Sequence, residues 1–469
     1  MLPSLTDPMA WRGSRALGGS WGRHAAIGAR TWWTPLRWLL AMTLFTLLLA
    51  FAQKSPCADG NWTGSKQYTH FCYSDVVPLY SDERLSDHAI PYRDTAVEYP
   101  VLTGGFMWVT ALLTYGVHAV AGSLSQVTVF GLITAILLAL CGLLVTAATA
   151  QTARGRPWDA AIFALSPLLV FHAYTNWDLF AMVFASAGLW AWSRRRPVLA
   201  GTMIGLGTAA KLYPVFLLVA IGILALRTRK WSDALWAGTS ALFVWLAVDL
   251  PVALAYPHGW SEFYRFSADR PTERSTLWSI GRTFADGSLS ASDAPYWVPS
   301  GLLVALALVV ALGIVVLLGL RAPTRPRLAQ LAFLCVLAFL ISTKVWSPQY
   351  SLWLVPLIAL ARPRWRLTLL WQFVEIGVWL ATLTLLLGQT VPAHGISIGG
   401  LTLVLLIRDV ILLALAATVV REMWCPWLDV VRSDGADDPG GGVFDGAPDG
   451  WLPRDEEPLL EVSAGPSPD

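Results

Sequence analysis

Two carboxylates in the first third of the chain stand in surroundings that favour base chemistry. Asp75 lies in the segment 72–80, CYSDVVPLY, among aromatic and apolar residues, and Glu98 begins EYP at the edge of an apolar block. A carboxylate packed against apolar groups has a raised pKa and can accept a proton from a hydroxyl. The other acids of this region, Asp59, Asp82, Glu83, Asp87 and Asp94, have polar neighbours, and we interpret them as solvated loop acids.

Two lysines suggest an anion site. Lys211 and Lys344 each stand where a short apolar segment meets a proline, in KLYP (211–214) and KVWSP (344–348). Such a lysine can simply extend its ammonium to the membrane interface. Two lysines in two analogous bends favour the alternative, a pair of cations for a phosphate at membrane depth. Arg270, flanked by Arg265 and Arg274, is a weaker candidate for the same role.

The cysteines and histidines predict no cofactor site. Cys57 and Cys72 share one loop and are candidates for a structural disulfide in an oxidising compartment. No HExxH, P-loop or dinucleotide fingerprint occurs, and the seven histidines are scattered. We predict no cofactor and no metal ligands, and leave divalent-metal dependence open.

The elements that must position these residues are membrane helices. Of the 469 residues, 55% are apolar and only 14% charged, and the mean hydropathy is +0.54. This composition excludes a soluble enzyme, a disordered chain and a disulfide-built secreted domain. The apolar residues form blocks of about 15–25, long enough to cross a bilayer.

Short basic connections orient the blocks, because such loops stay on the cytoplasmic side. They contain Arg154/Arg156, Arg194–Arg196, Arg227–Lys230, Arg321–Arg327 and Arg362–Arg366. With these inside, about 12 spans result, in which 197–227 and 327–362 are bent pairs of short helices. Asp75, Asn176, Lys211, Arg270 and Lys344 then all fall at or near the outer face. Residues 100–122 must begin and end outside, so we predict a re-entrant or interfacial helix there.

The domain plan has three parts. Residues 1–31 form a basic cytoplasmic segment, and 32–420 form the membrane domain. That domain contains a large first outer loop, 54–100, and a second, 257–299. Residues 421–469 are cytoplasmic, and 426–469 combine acids with Gly and Pro, a composition typical of a disordered tail.

Five motifs in this order make the chain resemble a known family. They are Asp75 followed by Tyr80 and IPY (90–92), EYP (98–100), NWD (176–178), Gly205 to AKLYP (210–214), and KVWSPQY (344–350). Over about residues 35–420 the chain resembles GT-C membrane glycosyltransferases, and within them family 87, the polyprenyl-phosphate-mannose-dependent α-1,2-mannosyltransferase-like proteins of actinobacteria. The resemblance implies a GT-C-like all-α bundle in the plasma membrane, with both termini cytoplasmic and the active site outside.

The resemblance also implies roles for residues of the motifs. Asp75 matches the catalytic aspartate, with Glu98 as the alternative base, and Lys211, Lys344 and Arg270 would bind the donor phosphate. The substrate would be lined by Tyr80, Tyr99, Asn176, Asp178, Tyr213, Gln349 and Tyr350. The expected reaction transfers a hexose, mannose by analogy, from a polyprenyl-phosphate sugar to a glycolipid or glycan with inversion. Two other functions stay open, a transporter or flippase of envelope precursors and a non-catalytic envelope scaffold.

Overall fold

The computed structural model describes residues 34–120, 122–433 and 435–450. Over these ranges its regular secondary structure consists of α-helices and short 3-10 helices, without a β-sheet. The basic segment predicted for 1–31 lies outside them. The α-helices, numbered in chain order, are α1 Pro35–Lys54, α2 Lys66–Thr69, α3 Val76–Asp82, α4 Val101–Val120, α5 Gln126–Thr152, α6 Ala161–Ala164, α7 Pro167–His172, α8 Asp178–Ser193, α9 Pro197–Ala210, α10 Phe216–Thr228, α11 Trp231–Ala255, α12 Pro257–Asp269, α13 Leu277–Ala285, α14 Gly301–Arg321, α15 Leu328–Ser342, α16 Leu354–Ala361, α17 Trp365–Thr390 and α18 Ile398–Trp424.

The helix lengths confirm an all-α polytopic membrane protein. Seven helices of the described residues are long and apolar enough to cross a membrane, and five shorter apolar helices accompany them. The two predicted bent pairs are present: α9 and α10 are separated at Lys211, and α15 and α16 at Lys344. Pro214 lies in the 3-10 turn Tyr213–Val215, and Pro348 begins the 3-10 turn Pro348–Trp353. Proline occurs at such breaks because it has no N–H to continue a helix.

The close contact between α9 and α11 depends on two glycines of α9. A Cβ on Gly201 would lie 2.1 Å from the Ala237 carbonyl oxygen, and one on Gly205 would lie 2.5 Å from that of Ala241. Only glycine lets the two backbones approach this closely, so Gly201 and Gly205 serve helix packing.

Helix α4 has membrane-spanning length but both of its ends lie beside the first loop. Near its start, Gly104 packs against Tyr92, and near its end the Tyr115 hydroxyl donates to the Leu85 carbonyl. Six residues beyond α4, Gln126 accepts a hydrogen bond from Tyr80 of that loop. A helix of 20 residues is about 30 Å long, so α4 runs along this face of the bundle.

The five basic connections lie together at the opposite end of the bundle. Each contacts the C-terminal segment 426–450: Arg156 donates to Val430, Arg195 to Gly442, Arg227 to Asp449, Arg327 to Asp429 and Arg364 to Leu428. We call this end the tail face, and the end that carries the first loop the site face. The grouping agrees with the charge pattern.

The C-terminal segment departs from the prediction of disorder. Residues 426–450 pack on the tail face, where Phe444 is fully buried and Trp192 Nε1 donates to the Gly441 carbonyl at 2.9 Å. Asp429 pairs with Arg327 at 2.6 Å, and both side chains are almost completely buried. The composition predicted disorder because it was judged alone, whereas the acids are neutralised by arginines from distant connections. Residues 451–469 lie outside the described ranges.

Candidate active site

A cavity of about 1060 Å³ opens on the site face. Its walls come from the first loop, from residues 262–274 at the end of α12 and just after it, from 293–296, from 347–350, and from one side of α17. Asp75 and Glu98 both line it, as do Arg265, Arg270 and Arg274. The cavity therefore brings acids and arginines together from elements far apart in the chain.

Asp75 and its neighbour Ser74 are both hydrogen-bonded to the segment that precedes α8. Its N–H donates to the Thr175 carbonyl at 2.8 Å, and the neighbouring Ser74 hydroxyl donates to that of Tyr174 at 2.7 Å. The carboxylate accepts a hydrogen bond from Asn176 Nδ2 at Oδ2, 2.7 Å away, and a further one from Tyr73. The base candidate is thus attached to the turn that precedes α8.

Burial raises the pKa of the Asp75 carboxyl above its ordinary value. The hydrogen bonds from Asn176 and Tyr73 and the charge of Lys211 oppose this rise, while the charge of Asp178 adds to it. A carboxylate of raised pKa whose Oδ2 is held by Asn176 is suited to accept a proton from a hydroxyl.

Glu98 lies in the same cavity but has different neighbours. Burial raises its pKa, and the Arg270 charge counteracts the rise. Behind it, Glu83 accepts the Glu98 N–H at 3.4 Å, and burial raises the pKa of Glu83 to about 7. Glu83 was interpreted as a solvated loop acid, whereas the structure buries it. The first loop folds back on itself, so that the acids Glu83, Glu98 and Asp75 lie in one region.

Three arginines supply the positive charge at the cavity wall. Arg270 pairs with Glu273 and Arg265 with Glu262, both at 2.8 Å, and Arg274 holds Asp293 with two bonds of 2.5 and 2.7 Å. The Arg270 guanidinium also interacts electrostatically with Glu98 and with the phenols of Tyr99 and Tyr350. Arg270 is therefore the cation that faces the base side of the cavity.

Lys211 does not line the cavity, in contrast to its predicted phosphate role. Its ammonium lies 2.5 Å from Asp178 Oδ1 and 4.8 Å from the centre of the Tyr350 ring, and its side chain is 9% exposed. The proximity of Asp178, 33 residues earlier in the chain, is what the sequence pattern did not show. This acid neutralises the charge that a phosphate would require.

Lys344 also lies behind the wall. Its ammonium donates to the Ala268 carbonyl at 2.7 Å, and its own carbonyl accepts the Glu273 N–H at 2.8 Å. The lysine thus supports the segment that carries Arg270 and does not reach the cavity. Of the three predicted phosphate ligands, the structure brings Arg270 to the cavity.

The predicted substrate-lining residues divide into two groups. Tyr99, Asn176, Gln349 and Tyr350 line the cavity. The other three have structural contacts elsewhere: Tyr80 stacks on Phe130, Tyr213 stacks on Trp353, and Asp178 pairs with Lys211. Aromatic motif residues of membrane helices pack against each other as readily as they face a ligand, which is why the pattern alone did not separate them.

Sequence reasoning missed Tyr73, Lys54 and Trp379. Tyr73 lines the cavity and bonds Asp75, and Lys54 donates to the Tyr73 carbonyl at 2.7 Å while its ammonium lies 4.8 Å from the Trp379 ring centre. Lys54 precedes Ser55-Pro56 at the end of an apolar block. That is the same lysine-before-proline pattern that singled out Lys211 and Lys344, so a signal was present.

Two further features bear on the site. Cys57 and Cys72 are joined by a disulfide, which closes the first loop next to Tyr73 and Asp75. Over the described ranges, no group of three or more His, Cys, Asp or Glu side chains is arranged to hold a metal ion.

Comparison with protein families identifies the family of the chain and its general activity. A search of curated proteins and of solved structures found no match. The family model of glycosyltransferase family 87 matches residues 97–343, which is more than half of the chain and includes Glu98, Asn176 and Arg270. The chain therefore belongs to glycosyltransferase family 87 and is a membrane glycosyltransferase.

Proposed function

We propose that the protein transfers a hexose, mannose, from a polyprenyl-phosphate sugar to a glycolipid or cell-envelope glycan. The reaction takes place on the extracytoplasmic side of the plasma membrane and inverts the anomeric centre. Mannose and the polyprenyl carrier are implied by the resemblance to the α-1,2-mannosyltransferase-like members of the family. The arginine-rich tail face supports an extracytoplasmic site at the other end of the bundle, since basic connections favour the cytoplasm.

The observation that carries the proposal is the common cavity of Asp75 and Arg270. A transfer from a lipid phosphate needs a base for the acceptor hydroxyl and a cation for the departing phosphate. Asp75 has a carboxyl of raised pKa, and Arg270 brings a guanidinium whose geometry suits a phosphate. The two requirements are met in one space.

The reaction is a single displacement. The acceptor oxygen attacks C1 of the donor sugar while its proton passes to Asp75. The bond from C1 to the phosphate oxygen breaks, and the electron pair stays with the polyprenyl phosphate, which changes from a diester to a monoester. Arg270 stabilises the charge that develops on this leaving group. Because attack and departure occur on opposite faces of C1, the configuration inverts.

The cavity also has room and a surface for the sugars. Its volume of about 1060 Å³ lies just above the usual range of about 300–1,000 Å³ for small-molecule sites, as expected for two substrates. Tyr68, Tyr73 and Trp379 form an aromatic wall, with Tyr73 ring centres 6.4 Å from Tyr68 and 6.3 Å from Trp379. Aromatic faces offer apolar contact area to the C–H groups of a sugar ring, with few rotatable bonds to order.

The decisive experiment is transfer by the purified protein in vesicles. Radiolabelled polyprenyl-phosphate mannose serves as the donor and an envelope glycolipid extract as the acceptor. We expect labelled product from the wild type and from Asp87→Asn, an exposed loop acid, and none above background from Asp75→Asn. Label that crosses the bilayer without forming a product would indicate the transporter alternative, and no turnover of any donor would overturn the proposal.

A further inference from the structure

The side-chain amide of Asn176 lies between the base candidate and a buried ion pair. Its Nδ2 donates to Asp75 Oδ2 and to the Tyr99 hydroxyl, both at 2.7 Å. Its Oδ1 accepts the Trp177 N–H at 2.7 Å and the Lys211 ammonium at 3.3 Å. Two donors on Oδ1 fix the orientation of the amide, because the flipped form would face both donors with NH₂ and Asp75 with oxygen.

The ion pair behind Asn176 is closed off from the cavity. Lys211 and Asp178 are 2.5 Å apart, with side chains 9% and 0% exposed. Trp353 Nε1 donates to Asp178 Oδ1 at 2.7 Å, and the rings of Tyr350 and Trp353 lie against the ammonium. A buried pair of this kind is costly to break, so Lys211 does not turn toward a substrate phosphate.

We propose that Lys211 and Asp178 are positioning residues that act through Asn176 to hold Oδ2 of Asp75, and so fix the orientation of this carboxylate toward the acceptor hydroxyl. The inference rests on the proposed function, in which Asp75 is the base. It gives Lys211 a role different from phosphate binding. It also explains why NWD (176–178) and AKLYP (210–214) occur together in one chain: the amide and the acid come from the first segment and the cation from the second.

The arrangement predicts effects of opposite sign on the proton affinity of Asp75. The charge of Lys211 and the Asn176 hydrogen bond lower the pKa of Asp75, whereas the charge of Asp178 raises it. The groups that face Asp75 from all surrounding elements are Lys54, Tyr73, Glu98, Tyr99, Asn176, Asp178 and Lys211. Only removal of Asp178 or of Glu98 takes a negative charge away from this set.

The first test is the pH dependence of kcat. Lys211→Met and Asn176→Ala should move the acid limb to higher pH by about one unit, as expected for loss of a nearby opposite charge or hydrogen bond. Asp178→Asn should move it to lower pH, and Lys211→Arg should restore the wild-type limb. Donor KM should stay unchanged in the Lys211 and Asp178 variants, because neither side chain lines the cavity. Lys66→Met is the matched control, since Lys66 lies on the site face and pairs with Asp59.

Lys211→Met could leave Asp178 buried without its cation and fail to fold. The double variant Lys211→Met with Asp178→Asn removes both charges, and its acid limb should still move upward because the Lys211 contribution is the larger of the two. A raised donor KM with an unmoved limb, in the single or the double variant, would assign Lys211 to the phosphate and overturn the inference. Unchanged limbs throughout would overturn it as well.

A second readout needs no substrate. Infrared titration of the protonated carboxyl band that is missing in Asp75→Asn measures the Asp75 pKa directly in wild type, Lys211→Met and Asp178→Asn. Shifts of opposite sign support the inference even if no sugar transfer is detected, in which case the proposed function fails alone. Active protein whose Asp75 band titrates identically in all three forms overturns the inference and leaves the proposed function standing.

Discussion

Asn176 Nδ2 lies 2.7 Å from Asp75 Oδ2, and this bond joins residues 101 positions apart. Asp75 belongs to the first loop and Asn176 to the turn that begins α8. The helix bundle therefore orients the proposed base, although that residue lies in a loop. The loop itself is closed by the Cys57–Cys72 disulfide. A proton acceptor that must meet a hydroxyl at one geometry gains from being attached to a rigid element.

Asp75→Asn should lower kcat by about 10²–10⁴, the usual contribution of a general base. Because burial raises the pKa of Asp75, wild-type kcat should fall as the pH drops through a value above 3.8, when the carboxylate becomes protonated. The variant should lose this acid limb. Steady-state kinetics over pH measures both, with the exposed Asp82→Asn as control. An inactive Glu98→Gln beside a fully active Asp75→Asn would move the base to Glu98.

Arg270→Met should reduce kcat/KM for the lipid-linked donor by about 10²-fold, as loss of one preorganised charge stabiliser does. The reason is that Arg270 is the guanidinium on the base side of the cavity. Donor titration of transfer rates measures the effect. Arg93→Met is the matched control, because Arg93 is 47% exposed and pairs with Asp94 outside the cavity. Equal rates in the two variants would contradict a phosphate role for Arg270.

Asp429→Ala should destabilise the protein by about 3–5 kcal/mol, because removal of one partner leaves Arg327 buried without its carboxylate. Both side chains of this pair are at most 3% exposed. Thermal unfolding in detergent measures the loss. Asp87→Ala, which breaks an exposed pair with Arg84, should change stability by about 0–1 kcal/mol. A chain ending at 450 should keep its stability. Equal melting temperatures of Asp429→Ala and Asp87→Ala would contradict a structural role of the C-terminal segment.

Glu83→Gln should make stability less dependent on pH. Burial raises the pKa of Glu83 from 4.5 to about 7 in the folded protein, so the folded state holds a proton that the unfolded chain releases between these values. Wild-type stability must then fall as the pH rises from 4.5 to 7. The variant lacks this contribution, so its melting temperature should fall less than that of the wild type between pH 5 and pH 8. Identical pH profiles of the two melting temperatures would show that Glu83 is charged in the folded state.

Single cysteines should reveal the orientation in intact cells, in a chain whose Cys141, Cys335 and Cys425 are replaced by alanine. Asp87→Cys, on the site face, should react with an impermeant thiol reagent, and Arg195→Cys, on the tail face, should not. Both positions are exposed, so a difference reports sidedness and not burial. Labelling at 195 from outside would reverse the assignment of the cytoplasm to the tail face.

Local sequence composition was sufficient to predict much of the fold of this protein. Hydropathy predicts the all-α membrane fold because the bilayer demands that each span satisfy its own backbone hydrogen bonds. Proline next to Lys211 and Lys344 predicts where the two helix pairs break. The arginine connections predict which ends of the helices lie together. Each of these properties depends on a residue and its immediate neighbours.

The partner of a buried charge depends on which elements meet, and no local pattern contains that information. Lys211 has the sequence setting of a phosphate ligand, yet in the folded protein its ammonium pairs with Asp178, which neutralises its charge. The acidic tail has the composition of a disordered chain, yet Arg227, Arg325 and Arg327 from separate connections give its acids partners. Lys54 and Tyr73 join the site for the same reason, since the packing of α1 and the first loop against α17 brings them to Asp75. A charge that leaves water must find its counter-charge in the folded molecule, so the tertiary contacts assign the roles of these residues.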